Sequence, residues 1–286
     1  MKTEIRYISQ QNLAEYNKYL SMDDMENMGR KNYHGIALHT ETEESVQAIL
    51  IWNDWNLKTE TDELERNAEI INFQAEQPES GKQILEFFLQ EAERLGIFRI
   101  QFRLPLDWED ARVPMLKATG FRLKEQESNH MVITVGDLAK LPIAREERLM
   151  SNVVCIGKVN MQQFRKAIIT CAQSSMAEIP RDLMTLPISW FEPDISSCIR
   201  TDGKIRGLFL LHRSVTGDLE TQLLCGFDQN SNLDILHMII YGIQSIQKKY
   251  PADTKIRIRW NREQTKKLAE KMLNRSLGDI VIVAER

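Results

Sequence analysis

The sequence predicts a mixed α/β fold built twice, each copy being a mostly antiparallel sheet flanked by helices. Its 286 residues are enough for two domains, since a typical domain has roughly 150 residues. Both halves show the same order of elements: strand, helix, hairpin, strand, loop, helix, strand, helix, strand. Hairpins join antiparallel strands, whereas strand–helix–strand passages place parallel strands side by side. We therefore expect domains at residues 1–145 and 146–286.

In the first half, period-two alternation of apolar residues predicts strands. They are residues 5–8, 34–40, 46–52, 68–74, 98–104 and 131–135. Apolar residues at helical spacing predict helices at residues 11–20, 82–95 and 109–118. The second of these is the clearest, because Ile84, Leu85, Phe88 and Leu89 share one face and Gly96 stands at the C-terminal stop.

The second half has the same kinds of pattern. The predicted strands are residues 153–159, 195–200, 205–212, 219–225, 255–260 and 280–284. The predicted helices are residues 161–173, 233–249 and 262–273. Asp202-Gly203, between two apolar alternations, predicts a tight hairpin turn because glycine adopts positive φ without strain.

Composition excludes several classes of protein. Hydrophobic residues make up 42% of the chain, charged residues 27%, and the net charge is −4, which is ordinary for a globular protein and gives no reason to expect nucleic-acid binding. No apolar run approaches the ~20 residues that span a bilayer, and the polar start MKTEIRYISQ lacks the apolar region of a signal peptide. We therefore expect a cytoplasmic protein that does not bind membranes.

Cysteine and histidine spacing argues against a metal centre. The four cysteines form no CxxC pair, and the five histidines form no HExxH or HxH motif, so no metal site is expected. Charge is unevenly divided: residues 1–150 carry 18 basic and 27 acidic side chains, and residues 151–286 carry 19 and 14. Mutual attraction of the halves, an anionic ligand for the second half, and two differently solvated surfaces all remain open.

The element order and short motifs resemble the GCN5-related N-acetyltransferase (GNAT) family. Residues 196–272 carry the resemblance best, through the Asp-Gly-Lys hairpin, the following strand, an interrupted loop, a long helix, a strand and Asn261 opening a helix. In the first half, residues 69–121 are similar and end in Lys117-Ala-Thr-Gly-Phe121, like the family's terminal K-x-G-F. The resemblance implies two tandem GNAT-like domains.

For such a protein the resemblance implies an acyl-CoA site where a parted strand runs through a loop into a helix. Free amides and the helix dipole there suit a pyrophosphate, and the strand's exposed backbone pairs with the pantetheine arm. The implied cofactor-binding residues are Leu224, Cys225, Gly226, Phe227, Asn230, Ser231, Asn232 and Asn261 in the second half, and Ser80, Gly81 and Lys82 in the first. Glu76 and Glu79 depart from the family's Arg/Gln-x-x-Gly-x-Gly/Ala loop, and the second loop has no glycine.

The family's proton-transfer groups can also be sought by position. A carboxylate often accepts the amine proton; Glu220 is the candidate in the second half and Glu69 is its counterpart in the first. The tyrosine that protonates the leaving thiolate has apolar residues in its place, Met115 or Leu116 in the first half and Leu268 in the second.

We accordingly predict an acyl-CoA-dependent N-acyltransferase, and in particular an N-acetyltransferase, with acetyl-CoA as the co-substrate and a small-molecule or peptide amine as the acceptor. The second half is the favoured active unit. The alternatives are a catalytically inactive GNAT-like protein that binds CoA or another ligand, which the degenerate loops and missing tyrosines favour, and a purely structural or oligomerising role.

Overall fold

A computed structural model describes residues 3–40, 45–58, 63–145, 152–173, 179–180, 182–228, 232–260, 263–273 and 279–286. Two compact units are present: Met1–Glu127 with Pro180–Asp182 and Asp279–Arg286, and Ser128–Ile179 with Leu183–Gly278. The boundary expected between residues 145 and 146 stays a prediction.

Strands and helices are numbered along the chain. The strands are β1 (Thr3–Ile8), β2 (Tyr33–Thr40), β3 (Val46–Lys58), β4 (Leu64–Ala75), β5 (Ile97–Pro105), β6 (Arg122–Glu127), β7 (His130–Thr134), β8 (Val153–Cys155), β9 (Ile179–Pro180), β10 (Ser197–Thr201), β11 (Lys204–Arg213), β12 (Leu219–Gly226), β13 (Lys255–Arg259) and β14 (Ile280–Glu285). The helices are α1 (Met22–Asn27), α2 (Pro78–Arg94), α3 (Arg112–Ala118), α4 (Val135–Ala139), α5 (Met161–Gln173), α6 (Asn232–Lys249) and α7 (Glu263–Leu273).

The first unit is built on a sheet of order β1-β2-β3-β4-β5-β14-β6, with β9 also pairing with β3. Of its pairings along this order only β4–β5 is parallel. Helices α2 and α3 cover one face, and their apolar residues pack on those of the central strands. A smaller cluster, which includes the fully buried Tyr16, covers the other face of β1–β3. The predicted helix at 11–20 is replaced by a 3₁₀ turn and α1.

The second unit has a sheet of order β7-β13-β12-β11-β10-β8, in which only β12–β13 is parallel. Helix α6 packs on one face and α5 on the other, each with its own apolar cluster. The hairpin β10–β11 turns at Asp202 (φ 50°) and Gly203 (φ 74°), which confirms the turn predicted from Asp-Gly. Each unit is therefore a mixed, mostly antiparallel sheet flanked by helices, as predicted.

Two strands differ in partner from the sequence expectation. Residues 131–135 were expected to close the first sheet and residues 280–284 the second; instead β7 pairs with β13 and β14 lies between β5 and β6. Strand β14 suits an interior position because Ile282, Val283 and Ala284 are all buried. The polar strand β6 (RLKEQE), which the alternation of apolar residues did not reveal, forms the sheet edge, where charged residues are usual.

No described helix has the length and apolar content needed to cross a lipid bilayer. Among the described residues, no group of three or more His, Cys, Asp or Glu side chains could hold a metal ion.

Candidate functional site

In the first unit, the two parallel strands separate part-way along their length. Strand β4 pairs with β5 from Arg66 to Ile70, and the ladder ends at the pair Ile70–Phe102. On its other side β4 stays paired with β3 as far as Ala75, but with a bulge at Ile71. A bulge bends its strand and increases its twist, so it accounts for the separation of β4 from β5 at this point.

The second unit has the same fork. Within the described residues, strand β12 pairs with β13 at Leu219–Ile256 and Glu220–Arg257, and its ladder with β11 shifts register so that Gln222 is bulged. At the point of separation, the Thr221 hydroxyl donates to the Arg257 carbonyl (3.2 Å) and accepts from the Arg259 amide (3.3 Å). Thr221 thereby satisfies two backbone groups of β13 at the mouth of the fork.

The two bulges give an alignment of the units that does not depend on sequence similarity. Superposing Ile71 on Gln222 matches Ile70 with Thr221 and Phe73 with Leu224 along the strands. It also matches Glu69 with Glu220, the two carboxylates that the sequence analysis selected as candidate bases. Both therefore lie at the last rows of a parallel ladder, beside the fork.

Each of these carboxylates is held by an arginine of the neighbouring parallel strand. Glu69 is buried and accepts a hydrogen bond from Arg103. Glu220 is partly exposed and its Oε1 lies 3.2 Å from Nη1 of Arg257, while Gln222 Nε2 lies 3.3 Å from Oε2. These contacts fix the carboxylates at the forks. The sequence alone does not predict the arginine partners, because their pairing depends on strand register.

The space beyond the fork differs between the units. In the first, it is filled by aromatic side chains: Phe73 and Phe102 make an edge contact (centroids 6.3 Å apart), and Trp52 packs on Phe88 of α2 (5.0 Å). All four are 2% exposed or less. In the second unit, a partly open cavity of about 100 Å³ lies between the sheet and helices α6 and α7. Its lining includes Thr221 and Leu224, which follow the fork directly.

In the first unit, the helix start expected to hold a pyrophosphate has features that disfavour anion binding. Helix α2 begins at Pro78, which has no N–H, and Glu79 lies in its first turn. The Gly81 amide donates to the Gln77 carbonyl, and its Cα is packed against Met115, one of the apolar residues at the expected tyrosine position. Ser80 lies in the same turn, and the partly exposed Lys82 lies 3.9 Å from Glu86.

In the second unit, Leu224, Cys225 and Gly226 lie on the part of β12 beyond the fork, with Phe227 just after it. Helix α6 begins at Asn232, as the sequence predicts for a strand–loop–helix passage. Asn230, Ser231 and Asn261 lie outside the described residues, as does the side chain of Leu268. The predicted roles of all these residues stay predictions.

Solved structures with the same architecture place this geometry in a known fold. A tandem GNAT protein from the clavulanic acid biosynthesis pathway matches with a TM-score of 0.57 and 8% identity, covering 100% of this chain and 98% of its own. A GCN5-related N-acetyltransferase from Sphaerobacter thermophilus matches with a TM-score of 0.54 and 9% identity, covering 99% and 95%. The chain has the tandem GNAT fold.

A third match is a conserved protein of unknown function from Enterococcus faecalis V583, with a TM-score of 0.53, 10% identity, and coverage of 100% and 73%. No family model matches the sequence, and no curated protein does. The forks described above thus belong to a fold whose solved examples include N-acetyltransferases. At these low sequence identities, the matches establish the architecture.

Proposed function

We propose that this tandem GNAT protein is an acyl-CoA-dependent N-acyltransferase whose second unit binds the acyl-CoA. The observation that carries the proposal is the fork between β12 and β13, which opens beside a cavity in the second unit. The equivalent space in the first unit is filled by buried aromatic rings, so we assign the acyl-CoA to the second unit.

The residues around the second fork suit the parts of an acyl-CoA. Beyond Glu220, strand β12 pairs with β11 alone among the described strands, which leaves one backbone edge for the amides and carbonyls of a pantetheine arm. Helix α6 is 18 residues long, and its start would face the pyrophosphate with free amides and a positive dipole. The neutral donors Asn230 and Ser231 precede it in sequence.

In the proposed reaction, the acceptor's amine attacks the thioester carbonyl, a C–N bond forms, the C–S bond breaks, and the CoA thiolate leaves. Glu220 receives the ammonium proton, directly or through one water. Its contacts with Arg257 and Gln222 hold the carboxylate beside the fork. With an apolar residue at the expected tyrosine position, solvent protonates the thiolate.

Two measurements test the proposal. Calorimetry should give a heat of binding for acetyl-CoA and for CoA, and a thiol-release assay with a panel of amines should detect turnover. Replacement Glu220→Gln should lower kcat by about 10²-fold or more, because a positioned base contributes 10²–10⁴-fold, with little change in CoA affinity. Replacement Glu69→Gln is the matched variant: if it abolishes turnover and Glu220→Gln does not, the first unit is the active one.

The second candidate function is a CoA-binding protein without catalysis. The arginine contacts of both carboxylates favour it, because an ion-paired carboxylate is a weaker base. Binding of CoA with no thiol release for any amine tested would support this alternative, and no heat at high micromolar ligand would overturn both functions.

A further inference from the structure

The cavity of the second unit is lined almost entirely by hydrocarbon. Its walls come from β11, β12 and β13, from helices α6 and α7, and from residues 138 and 141; they include Leu211, Leu224, Ile258, Ile243 and Ala269. The polar side chain among them is Thr221, whose hydroxyl proton is already donated to the Arg257 carbonyl. Such a space favours an apolar ligand, because a charged or hydrogen-bonding group placed there would lose its water without gaining partners.

Comparison of the two units shows how the cavity arises. In the bulge-based alignment, Trp52, Phe73 and Phe102 of the first unit correspond to Leu211, Leu224 and Ile258 of the second. Three aromatic rings are thus replaced by smaller aliphatic side chains. One change runs the other way, since Leu50 corresponds to Phe209, but the net loss of side-chain volume leaves the space open.

The cavity's position and size indicate what it would hold. Thr221 and Ile258 are the first residues past the separation of the strands, so they lie next to Glu220, to which the proposed function assigns the amine's proton. An engineered apolar cavity of about 150 Å³ accommodates benzene, which has six carbons; a cavity of about 100 Å³ by the same scale holds roughly four.

We propose that the second unit is specific for acyl-CoA with a short aliphatic acyl chain, of about four to six carbons, whose tail occupies this cavity. The proposal rests on the proposed acyl-CoA site and adds the identity of the acyl group. Each methylene buried from water is worth about 0.8 kcal/mol, or roughly a fourfold gain in affinity, so two to four additional methylenes should tighten binding at least tenfold over acetyl-CoA.

The test is a calorimetric series on the full chain with CoA and with acetyl-, butyryl-, hexanoyl-, decanoyl- and succinyl-CoA. We expect the Kd to fall at least tenfold from acetyl- to butyryl- or hexanoyl-CoA, and to rise again for the overlong decanoyl and the charged succinyl groups. In the variant Ile243→Phe, a ring on α6 should fill the cavity: hexanoyl-CoA should weaken to the level of acetyl-CoA, while the Kd of CoA itself stays unchanged.

Failure of the two proposals can be told apart. If CoA and acetyl-CoA bind but the unmodified protein shows no dependence on chain length, the acyl-chain proposal is wrong and the acyl-CoA site stands. If neither CoA nor any acyl-CoA binds, the site itself is wrong. The chain-length series needs no substitution, so it decides the matter even if the Ile243→Phe protein does not fold.

Discussion

Gly81, at the start of α2, is a glycine either because helix packing leaves no room for a side chain or because a ligand binds there. Replacing it by alanine tests which of these two roles it has. The residue is buried in the first turn of the helix. A Cβ at this position would stand 2.1 Å from Sδ of Met115, 3.1 Å from Cβ of Ala75 and 3.3 Å from Cζ of Phe73. The first distance is far inside van der Waals contact, so Met115 would have to move; the other two neighbours leave little room for the helix to shift instead.

Two opposing effects determine how much Gly81→Ala changes the free energy of unfolding. Overfilling a packed core costs about 1–3 kcal/mol, and methionine, being flexible, places this site at the lower end. Alanine is better than glycine inside a helix by up to ~1 kcal/mol, and less in the first turn. We therefore expect Gly81→Ala to reduce the free energy of unfolding by about 1 kcal/mol, which lowers the Tm by roughly 2–5 °C in a unit of this size.

A double-mutant cycle with Met115→Ala supplies the control. Truncating the buried methionine alone should cost about 2–3 kcal/mol, and in the double variant the Gly81→Ala change should cost nothing further, giving a coupling of about 1 kcal/mol by urea or thermal unfolding. Additive effects within ~0.5 kcal/mol, or a stabilised Gly81→Ala, would refute the packing explanation. Weakened CoA binding with unchanged stability would instead make Gly81 a close-approach position for ligand.

Three further predictions concern buried and capping groups. Asp54 is fully buried, and burial raises its pKa, but hydrogen bonds from His34 and Arg66 outweigh this and lower it. Asp54→Asn should cost about 3 kcal/mol in urea unfolding, because the part-buried Arg66 loses the carboxylate with which it forms an ion pair. A loss below ~1 kcal/mol would contradict this. Burial raises the pKa of Cys198 to about 11, and a hydrogen bond between Cys225 and Cys171 together with burial raises the pKa of Cys225. A thiol reagent at pH 8 should therefore label the half-buried Cys155 first, and fast labelling of all four cysteines would show the packing to be wrong. Hydrogen bonds from the N-cap residue Thr134 and from Lys140 lower the pKa of Asp137 from 3.8 to about 2. The ionised Asp137 therefore stabilises the folded state above pH ~4 and loses this effect as the pH falls towards 2. Asp137→Ala should lower the free energy of unfolding by about 1 kcal/mol at pH 7 and clearly less at pH 3, whereas an equal loss at both would exclude a role for the ionised carboxylate.

Local patterns predicted the elements whose determinants are local. Helix α5 has the predicted bounds, and the Asp202-Gly203 turn has the positive φ values that its residues favour. The strand before each loop was also located, because a strand–helix–strand passage fixes its direction. The sequence pattern therefore predicted the mixed sheets, and Glu69 and Glu220 lie on strands β4 and β12; their proposed catalytic role stays a prediction.

Features that depend on distant partners were not predictable in this way. The alternation of apolar residues in 280–284 is the same whichever sheet the strand joins. The position of β14 is determined by the backbone edges of β5 and β6, which both pair with it. The bulges at Ile71 and Gln222 are shifts of register between two strands, and neither residue carries a local signal for one. The contact of Gly81 with Met115 could not be predicted for a similar reason, because Met115 lies on another helix.

The two units retain one geometry and differ in what surrounds it. Each has a bulge beside the fork and a glutamate in the matching position, yet Glu69 is bound by Arg103, which aligns with Arg259, whereas Glu220 is bound by Arg257, which aligns with Gln101. The bulge is a requirement of the backbone, because without it the parallel ladder would continue and close the fork. Side-chain packing beyond the fork has no such constraint: aromatic side chains fill this space in the first unit, and a cavity remains in the second. A ligand can enter only where space remains, so any difference in function between the units follows from this packing rather than from the shared backbone.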